Sequence, residues 1–354
     1  MLEDLLELIL ITYNRDSYLD KTLEQLLDSP FKNCKITILD NCSPDNTQEI
    51  CKKYVGKFPN MIIKRHNINI GGNANILRAV ETSTSYYTWI VGDNDDYDFT
   101  VTDDVIEAIE SKKYDIIDIC SPMLPTTPEN PSDESLNQLL DKKNKIEGTD
   151  KTSTREIYTK ELIDIMQGNF FMDMAFISGY IYRTSIYDTE AMIHGYDNIP
   201  NFFPHFVLIN KAVENNYFIY KSERDLVIQR ENPQNDSFTY TFTKFYDGWL
   251  NSALMIKDSK YRKICYQNLD NHSLTTNNYL IVLPVAVMVD KATGRPDIKN
   301  NLISLIAVLY KHSGWIKGFF ISLLLLLVYV VPSGIYKRLY EPMYNREQEK
   351  LKNK

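Results

Sequence analysis

The sequence has few cysteines, and they form neither a disulfide framework nor a zinc site. The five cysteines are scattered and no CxxC pair occurs, which excludes a zinc knuckle and is typical of reduced thiols in the cytosol. The first residues, Met1-Leu2-Glu3-Asp4, are acidic, whereas a secretory signal begins with basic residues. We therefore expect a cytoplasmic protein without a signal peptide.

An excess of positive charge is also absent. The 39 basic residues are outnumbered by 47 acidic ones, for a net charge of -8, so we expect no nucleic-acid partner. Thirteen glycines and 14 prolines in 354 residues exclude collagen-like or broadly disordered sequence. A chain of this length can bury a sizeable core and allows about two domains.

Short apolar runs alternate with helical patterns through the first third of the chain. Strands are predicted at 7–12, 35–39, 61–64 and 86–91, and helices at 17–27, 47–54 and 73–81. This alternation predicts βαβ units, and hence an α/β fold with a mostly parallel sheet. Such sheets bind ligands beyond the carboxyl ends of their strands, which is where Thr12, Asp40 and Asp93 are predicted to lie.

Carboxylates crowd the end of the fourth predicted strand, in the stretch Gly92-Asp93-Asn94-Asp95-Asp96. Like charges this close repel, so we expect a cation to share the site. Mg²⁺ and Mn²⁺ prefer oxygen ligands and bridge carboxylates to substrate phosphates. A solvated acidic turn is the structural alternative, because short motifs of this kind also occur by chance.

Three further polar stretches follow predicted strands. They are TYNR at 12–15, DNCSPDNT at 40–47 and NINIGGNAN at 67–75. Asp40 can accept hydrogen bonds from a base or ribose, or it can hold an Asx turn; for Ser43, Asp45 and Thr47 we favour turn and cap roles. The paired glycines allow close approach of a ligand, and the following helix offers free N–H groups to phosphate.

The order, spacing and strand context of these four stretches resemble the nucleotide-sugar half of family-2 glycosyltransferases with the GT-A fold. That family has a strand with T-x-N-R, a strand with DDGSxDxT, N-x-G-x-x-x-x-N, and a strand ending in DxDD. The matching stretches here are 12–15, 40–47, 69–75 and 93–96. SGYIYR at 178–183 resembles the acceptor-side segment, and Asn41 stands where the family often has a second Asp.

The resemblance implies a Rossmann-like GT-A sheet with helices on both faces, and a nucleoside-diphosphate-sugar donor held with Mg²⁺ or Mn²⁺. Thr12 is expected near the nucleotide and Asp40 at the base. Asp93 and Asp95 are expected at the ribose and the metal–diphosphate group, with Asp95 favoured for the metal. The expected donor-binding residues are Thr12, Asn14, Arg15, Asp40, Asn69, Gly72, Asn75 and Asp93, and the expected metal ligands are Asp93 and Asp95.

The resemblance also implies an inverting displacement, with a general base that is usually the Asp of a Glu-Asp pair in the second half of the domain. No Glu-Asp dipeptide occurs between 170 and 230. His205 lies at the comparable place and has a suitable ordinary pKa; Asp197 is its competitor. The structural alternative for His205 is a residue at a helix N-terminus bonded to backbone.

The last third contains an uncharged stretch at 318–336 with the run FFISLLLLLVYVV. Its length is close to the ~20 residues that span a bilayer, although Pro332 and Gly334 interrupt its end. Residues 336–354 carry six Lys or Arg against three Glu, as expected near anionic lipid. We expect a membrane-seated helix; the alternative is a helix buried against the catalytic domain.

These patterns together predict a GT-A domain at 1–240 and a helical, membrane-associated region at 241–354. Within the domain, 1–120 is the nucleotide-sugar half, 121–160 a loop-rich insertion and 161–240 the acceptor half. The expected function is sugar transfer to a glycan or lipid-linked acceptor in surface polysaccharide biosynthesis, by a protein held peripherally or monotopically at the cell membrane. The alternatives are a non-catalytic nucleotide-sugar-binding protein and a nucleotidyltransferase.

Overall fold

The structure of the protein is a computed structural model. It describes residues 1–93, 95–119, 155–166, 170–171, 174–199, 204–222, 225–228, 238–271, 279–295 and 297–352. The chain forms two compact units, Met1–Glu231 with Ser252–Asn268, and Asn232–Asn251 with Leu269–Lys354. Most of the predicted insertion at 121–160 lies outside the described residues, but Glu156–Tyr158 near its end forms a strand.

The first unit is built on an eight-stranded mixed sheet. Its strands are β1 (Leu6–Thr12), β2 (Lys35–Asp40), β3 (Met61–Arg65), β4 (Tyr87–Gly92), β6 (Ile116–Asp118), β7 (Glu156–Tyr158), β8 (Tyr180–Arg183) and β9 (Phe218–Lys221). Across the sheet they lie in the order β3-β2-β1-β4-β8-β6-β9-β7. The pairs β1–β2, β1–β4, β2–β3 and β6–β9 are parallel, and β8 runs antiparallel to both β4 and β6. Two short strands, β5 (Asp96–Tyr97) and β10 (Val227–Ile228), pair separately. The predicted mostly parallel α/β fold is confirmed.

Helices connect these strands and continue beyond them. They are α1 (Leu2–Leu5), α2 (Asp16–Leu27), α3 (Thr47–Tyr54), α4 (Gly72–Thr82), α5 (Asp103–Ser111), α6 (Thr159–Met166), α7 (Thr189–Asp197), α8 (Phe206–Asn215), α9 (Phe238–Met255), α10 (Ser259–Asn271), α11 (Tyr279–Thr293), α12 (Ile298–Ser313), α13 (Trp315–Val330) and α14 (Ser333–Lys352). The predicted helix at 47–54 is found with those bounds, and the helix predicted at 73–81 is one residue longer at each end.

The central strand β1 is buried on both faces, because side chains alternate sides along a strand and helices cover each side. On one face, Ile9 and its β4 partner Ile90 pack with Ala79 of α4. On the other face, Trp89 packs edge-to-face against Phe31, with ring centroids 5.6 Å apart. The apolar run at 8–11 of β1 is therefore a consequence of its interior place in the sheet, between β2 and β4.

The connections reverse direction at β1. The chain runs from β1 to β2 and β3 on one side, and then returns to β4 on the other side of β1. Connections that diverge at this point leave a crevice at the carboxyl ends of β1 and β4, which is where open α/β sheets bind ligands. The topology thus places the ends of β1 and β4 at a potential binding site.

In the second unit, α11 packs against α13 and α14, and α12 packs against α13. A Cβ on Gly318 of α13 would lie 3.1 Å from the ring of Tyr310, so α12 and α13 are in close contact. Within the part of the chain that the structure describes, no single helix is long and apolar enough to cross a membrane. The pair formed by Trp315–Val330 and Ser333–Pro342 meets that criterion only together, with a bend of 89° between them.

Candidate active site

A cleft of about 300 Å³ opens at the carboxyl ends of β1, β2 and β4. Its lining residues are Ile11, Thr12, Tyr13, Arg15, Asn41, Asn69, Gly71, Gly72, Asn75, Gly92 and Asp93. They come from stretches that are far apart in the sequence and meet where the chain reverses around β1. Six of the eight residues predicted to bind the donor line this cleft, whereas Asn14 and Asp40 do not.

Asp93 is a buried carboxylate that forms an ion pair with the Arg15 side chain at the cleft. Its Oδ1 lies 3.0 Å from Nη1 of Arg15, and only 2% of its side chain is exposed. Burial raises the pKa of Asp93, and the neighbouring Thr12 hydroxyl and Arg15 guanidinium oppose that shift. Among the described residues its other oxygen, Oδ2, has no hydrogen-bond partner. Asp93 therefore presents a buried acceptor oxygen that a ligand can use.

Asp95 lies buried directly beside Gly92. A Cβ on Gly92 would lie 2.6 Å from Oδ2 of Asp95 and 2.9 Å from Oγ of Ser178. Ser178 accepts a hydrogen bond from the Gly92 N–H at 3.1 Å, and the Tyr97 hydroxyl donates to the Gly92 carbonyl at 2.7 Å. Only glycine leaves room here for the Asp95 carboxylate. The sequence did not single out Gly92 or Ser178; the signal available for Ser178 was the SGYIYR stretch.

The donor set of Asp93 and Asp95 fits a hard divalent cation. Mg²⁺ prefers oxygen ligands and is usually held by one or two carboxylates together with substrate phosphates. The buried, unpartnered Oδ2 of Asp93 is such an oxygen. Apart from Asn94 and the Asp96 side chain, which lie outside the described set, no group of three or more His, Cys, Asp or Glu residues placed for a metal ion is found in the described ranges.

Asp40 is fully buried and its carboxylate is engaged in the turn that follows β2. Oδ1 accepts from the Ser43 N–H at 2.8 Å, Oδ2 accepts from Gln48 at 2.7 Å, and Arg65 lies 3.3 Å from Oδ2. These are the contacts of the turn alternative. Contact between Asp40 and a base stays a prediction, and Asn14 is likewise an exposed residue whose N–H donates to Ser43 Oγ at 2.9 Å.

Asp45 has the turn role that its sequence context favours. Its Oδ1 accepts from both the N–H and the hydroxyl of Thr47, at 3.1 and 2.6 Å, at the start of α3. Its Oδ2 accepts from the Asp16 N–H at 3.0 Å. Asp45 therefore ties the loop after β1 to the loop after β2, below the cleft residues that those loops carry.

Asn41 connects β2 to the glycine turn before α4. Its Nδ2 donates to Oδ1 of Asn69 at 2.9 Å, and its Oδ1 accepts from the Ile70 N–H at 2.9 Å. Asn69 Oδ1 also accepts from the Gly71 N–H at 2.8 Å. An amide is needed at position 41 because the same side chain donates on one side and accepts on the other. This gives a physical reason for the departure from the family pattern at Asn41.

We expect Asn41→Asp to lower the free energy of unfolding by about 1–3 kcal/mol at neutral pH, because the carboxylate cannot donate to Asn69. A flip of the Asn69 amide would restore that pair only by giving up the bond from Gly71. The neutral acid can donate, so the deficit should fade as pH falls through the pKa of the introduced carboxyl. Urea unfolding across a pH series measures this effect.

The matched control is Asn60→Asp, since the Asn60 amide also donates one bond, to the Asn33 carbonyl at 2.8 Å, but is exposed. Water can replace that bond, so this variant should be close to wild type at every pH. Equal stability of Asn41→Asp and wild type at neutral pH would contradict the role assigned to the amide.

The first turn of α4 completes the cleft. Gly71 precedes it with φ 85°, a conformation that favours glycine, and both Gly71 and Gly72 face open space where a Cβ would be. The first N–H groups of a helix have no partner within the helix and lie at the positive end of its dipole. This turn is thus suited to an anionic group.

His205 and Asp197 lie in different environments. His205 is buried, and its Nε2 donates to the Ala175 carbonyl at 2.9 Å; burial lowers its pKa to about 4. Such an imidazole is a weak proton acceptor at neutral pH. Asp197 is exposed at the end of α7. Close to it in sequence, the Ile199 carbonyl accepts from Asn73 Nδ2 at 2.9 Å, beside the cleft residue Gly72. The predicted catalytic roles of both residues stay predictions.

The lowered pKa of His205 predicts a loss of stability in acid. The folded state resists protonation of this imidazole down to pH about 4, whereas an unfolded His takes up its proton near pH 6.5. Stability should therefore fall by about 3 kcal/mol from this group as pH drops through that window. His205→Gln, whose amide can still donate to Ala175, should lose less over the same window in urea unfolding.

Exposed His194, also on the first unit, supplies the control. His194→Gln should follow the wild-type pH dependence, because this imidazole is exposed to water and folding does not bury it. If the free energy of unfolding falls equally with pH in wild type and His205→Gln, burial of His205 is not the cause of the loss of stability in acid.

Comparison with known proteins gives a consistent result. The family model for glycosyl transferase family 2 matches residues 7–218. The abequosyltransferase RfbV of Salmonella typhimurium is 34% identical over 88 residues, which is 24% of this chain and 26% of that protein. The glycosyltransferase GlyG of Streptococcus pneumoniae is 24% identical over 117 residues, 33% of this chain and 38% of that protein. The matched stretches thus span well under half of these curated relatives.

Among solved structures, residues 1–349 of S. aureus TarS share the fold. That structure has a TM-score of 0.55 and 15% sequence identity, over 96% of this chain and 91% of the other. The same TarS fragment in complex with UDP-GlcNAc has a TM-score of 0.51, again with 15% identity, over 96% of this chain and 92% of the other. The predicted GT-A architecture is confirmed by this likeness.

Proposed function

The chain belongs to glycosyl transferase family 2, and we propose that it transfers a sugar from a nucleoside-diphosphate sugar to a hydroxyl of a glycan or lipid-linked acceptor. The observation that carries this proposal is the cleft at the reversal around β1. There the Arg15–Asp93 pair faces the glycine-rich first turn of α4. Two buried carboxylates can hold a divalent cation, and the Arg15 guanidinium and the N–H groups at a helix start can bind the diphosphate of a nucleotide sugar.

We assign the diphosphate to the first turn of α4 and to Arg15, and the cation to Asp93 and Asp95. When bound, a divalent cation supplies positive charge that stabilises the departing diphosphate. We place the nucleotide against Thr12 and Asn75, which both line the cleft. The hydrogen bonds from Asn41 to Asn69 and from the Ile70 N–H to Asn41 hold the glycine turn in place before the donor binds. The turn therefore loses little conformational entropy when the donor binds.

The proposed reaction is a single displacement with inversion. The acceptor oxygen forms a bond to the anomeric carbon as the bond to the diphosphate oxygen breaks, and the electron pair leaves with the nucleoside diphosphate. The acceptor proton passes to a general base. We favour Asp197 for that role over His205, because Asp197 is exposed, whereas His205 is buried and has a pKa of about 4.

The setting we propose is surface polysaccharide synthesis at the cytoplasmic face of the cell membrane, with the protein attached peripherally or monotopically. Support comes from the relatives, whose names are those of sugar transferases, and from the apolar helices of the second unit. Lipid-linked acceptors present their hydroxyls at a membrane surface, so a transferase that acts on them must reach that surface.

The test is binding and turnover across a panel of nucleotide sugars, with Mn²⁺, with Mg²⁺ and with EDTA, beginning with UDP-GlcNAc because TarS binds it. Metal-dependent release of one nucleoside diphosphate is expected, and Asp197→Asn should keep donor binding while turnover falls. Binding without turnover for every donor and acceptor would favour a non-catalytic binding protein. Release of pyrophosphate instead would favour a nucleotidyltransferase, and no binding at all would refute the proposal.

A further inference from the structure

Helix α13 is apolar on two opposite faces, and only one of them is covered. Its covered face, which includes Gly318, Ile321 and Leu325, is buried within the second unit. The opposite face, here called the docking face, consists of Trp315, Phe319, Phe320, Leu323, Leu327 and Val330. All six side chains are exposed, with Trp315 at 83% and Val330 at 71%. Apart from the neighbours Phe319 and Phe320, they follow one another at intervals of three or four residues, which places them along one side of the helix.

An exposed apolar stripe of this length is unusual on a protein surface and marks an interaction site. The apolar surface continues into α14, where Ile335 and Leu339 are 51% and 58% exposed. Since the covered face of α13 already packs inside its own unit, folding of that unit does not bury the docking face. Something else must remove it from water.

The charged residues within the segment that carries the docking face are all basic, and the acidic Glu341 just beyond it lies 3.7 Å from Nζ of Lys337. From Trp315 to Tyr340 the sequence contains no Asp or Glu, whereas Lys317, Lys337 and Arg338 are all present, in a chain whose net charge is -8. These three basic residues are exposed. An apolar stripe bordered by basic and aromatic side chains is complementary to an anionic lipid surface, because basic heads meet phosphate while apolar side chains enter the boundary of the acyl chains.

We propose that the docking face of α13, with the start of α14, binds the surface of an anionic lipid bilayer, with α13 lying in the plane of the interface. The covered side of α13 stays on the protein and the docking face enters the lipid. The 89° bend between the two helices lets α14 leave that plane. A second copy of the chain is the less favourable occupant, because a two-fold contact through this face would bring basic residues against basic residues.

This inference extends the proposed function by naming the element and the lipid class, and its test is independent of turnover. The experiment is flotation of the full chain with vesicles of neutral phosphatidylcholine alone or mixed with phosphatidylglycerol. Binding is expected only to the mixed vesicles and should weaken at high salt. Lys337→Glu with Arg338→Glu should reduce partitioning by about 25-fold or more, taking about fivefold for each basic residue.

The apolar contribution is tested by Phe320→Ser with Leu327→Ser, at side chains that are 64% and 57% exposed. The matched control is Val55→Ser with Ile193→Ser, which are 63% and 57% exposed but lie on the first unit. The docking-face variant should lose partitioning by more than about tenfold, and the control should bind as wild type does. Nucleotide binding in solution, measured on both variants, should not change.

Three outcomes would overturn this inference. The wild type does not float with either kind of vesicle; the control loses as much partitioning as the docking-face variant; or the docking-face variant converts a wild-type oligomer to monomer without any change in flotation. The last result would assign the face to contact between copies. If the wild type floats with the mixed vesicles but transfers no sugar, that result would count against the proposed function and not against this inference.

Discussion

Asp95→Asn should lower kcat by about a thousandfold, while the protein stays folded. The carboxylate that we assign to the cation is lost, and with it much of the stabilisation of the leaving diphosphate; removal of one such electrostatic group usually costs 10²- to 10³-fold, or about 3–4 kcal/mol. Asparagine has nearly the same size, so the space beside Gly92, where a Cβ would lie 2.6 Å from Asp95 Oδ2, stays filled. Steady-state turnover with saturating donor and metal measures the effect.

The control for this substitution is Asp28→Asn, at an exposed residue just after α2. It removes the same charge from the chain at a distance from the cleft, so its turnover should match the wild type. An Asp95→Asn enzyme with normal kcat at every metal concentration would contradict the assignment of Asp95. A normal kcat that is reached only at higher metal concentration would show that Asp95 contributes to metal affinity and not to the rate of the chemical step.

Arg15→Met should move the acid limb of the pH–rate profile to higher pH and lower kcat/KM at neutral pH by about a hundredfold. Burial raises the pKa of Asp93, and the Arg15 guanidinium, 3.0 Å away, opposes that rise. Without the cation the pKa rises further, by about 1–3 units for an opposite charge this close. Because the divalent metal ion binds only the ionised form of Asp93, activity is lost as pH falls through that raised pKa. The loss of a charged contact to the diphosphate adds to the fall at neutral pH.

The stability of Arg15→Met should have the opposite pH dependence to its activity. A buried carboxyl with a raised pKa takes up a proton more readily when folded, so acid relieves the cost of burying it. The variant should therefore be less stable than wild type at neutral pH, and the difference should shrink in acid. Lys52→Met, an exposed lysine on α3, should change neither property. An unchanged acid limb in Arg15→Met would show that Asp93 is not the group titrating there.

The local pattern of the sequence determined the elements that carry the cleft. Alternation of short apolar runs with helical spacing placed β1, β2, β3 and β4 within one or two residues of their bounds. The signal is strongest for β1 and β4, because parallel strands buried on both faces are almost continuously apolar. The turn residues that end those strands are local as well, so the motifs could be placed at the carboxyl edge without a structure. That is why most of the predicted donor-binding residues line one cleft.

Only the tertiary structure decided which residues far apart in the chain come into contact. Ser178 meets the Gly92 N–H across 86 positions, and Arg15 meets Asp93 across 78. No local pattern encodes which distant partner a polar side chain will find. The same holds for burial: Asp40 and His205 are polar residues at element ends in the sequence, and packing against other elements encloses both.

The apolar tail divides in the same way. The sequence by itself determined that 318–336 is uncharged and broken near Pro332, because composition and the missing proline N–H are local properties. Only the tertiary structure decided that α13 is covered on one face and exposed on the other, since that depends on which helices fold back against it. The amino-acid sequence specifies the periodicity of apolar residues along a helix. Which face of the helix is buried depends on the elements that folding brings against it.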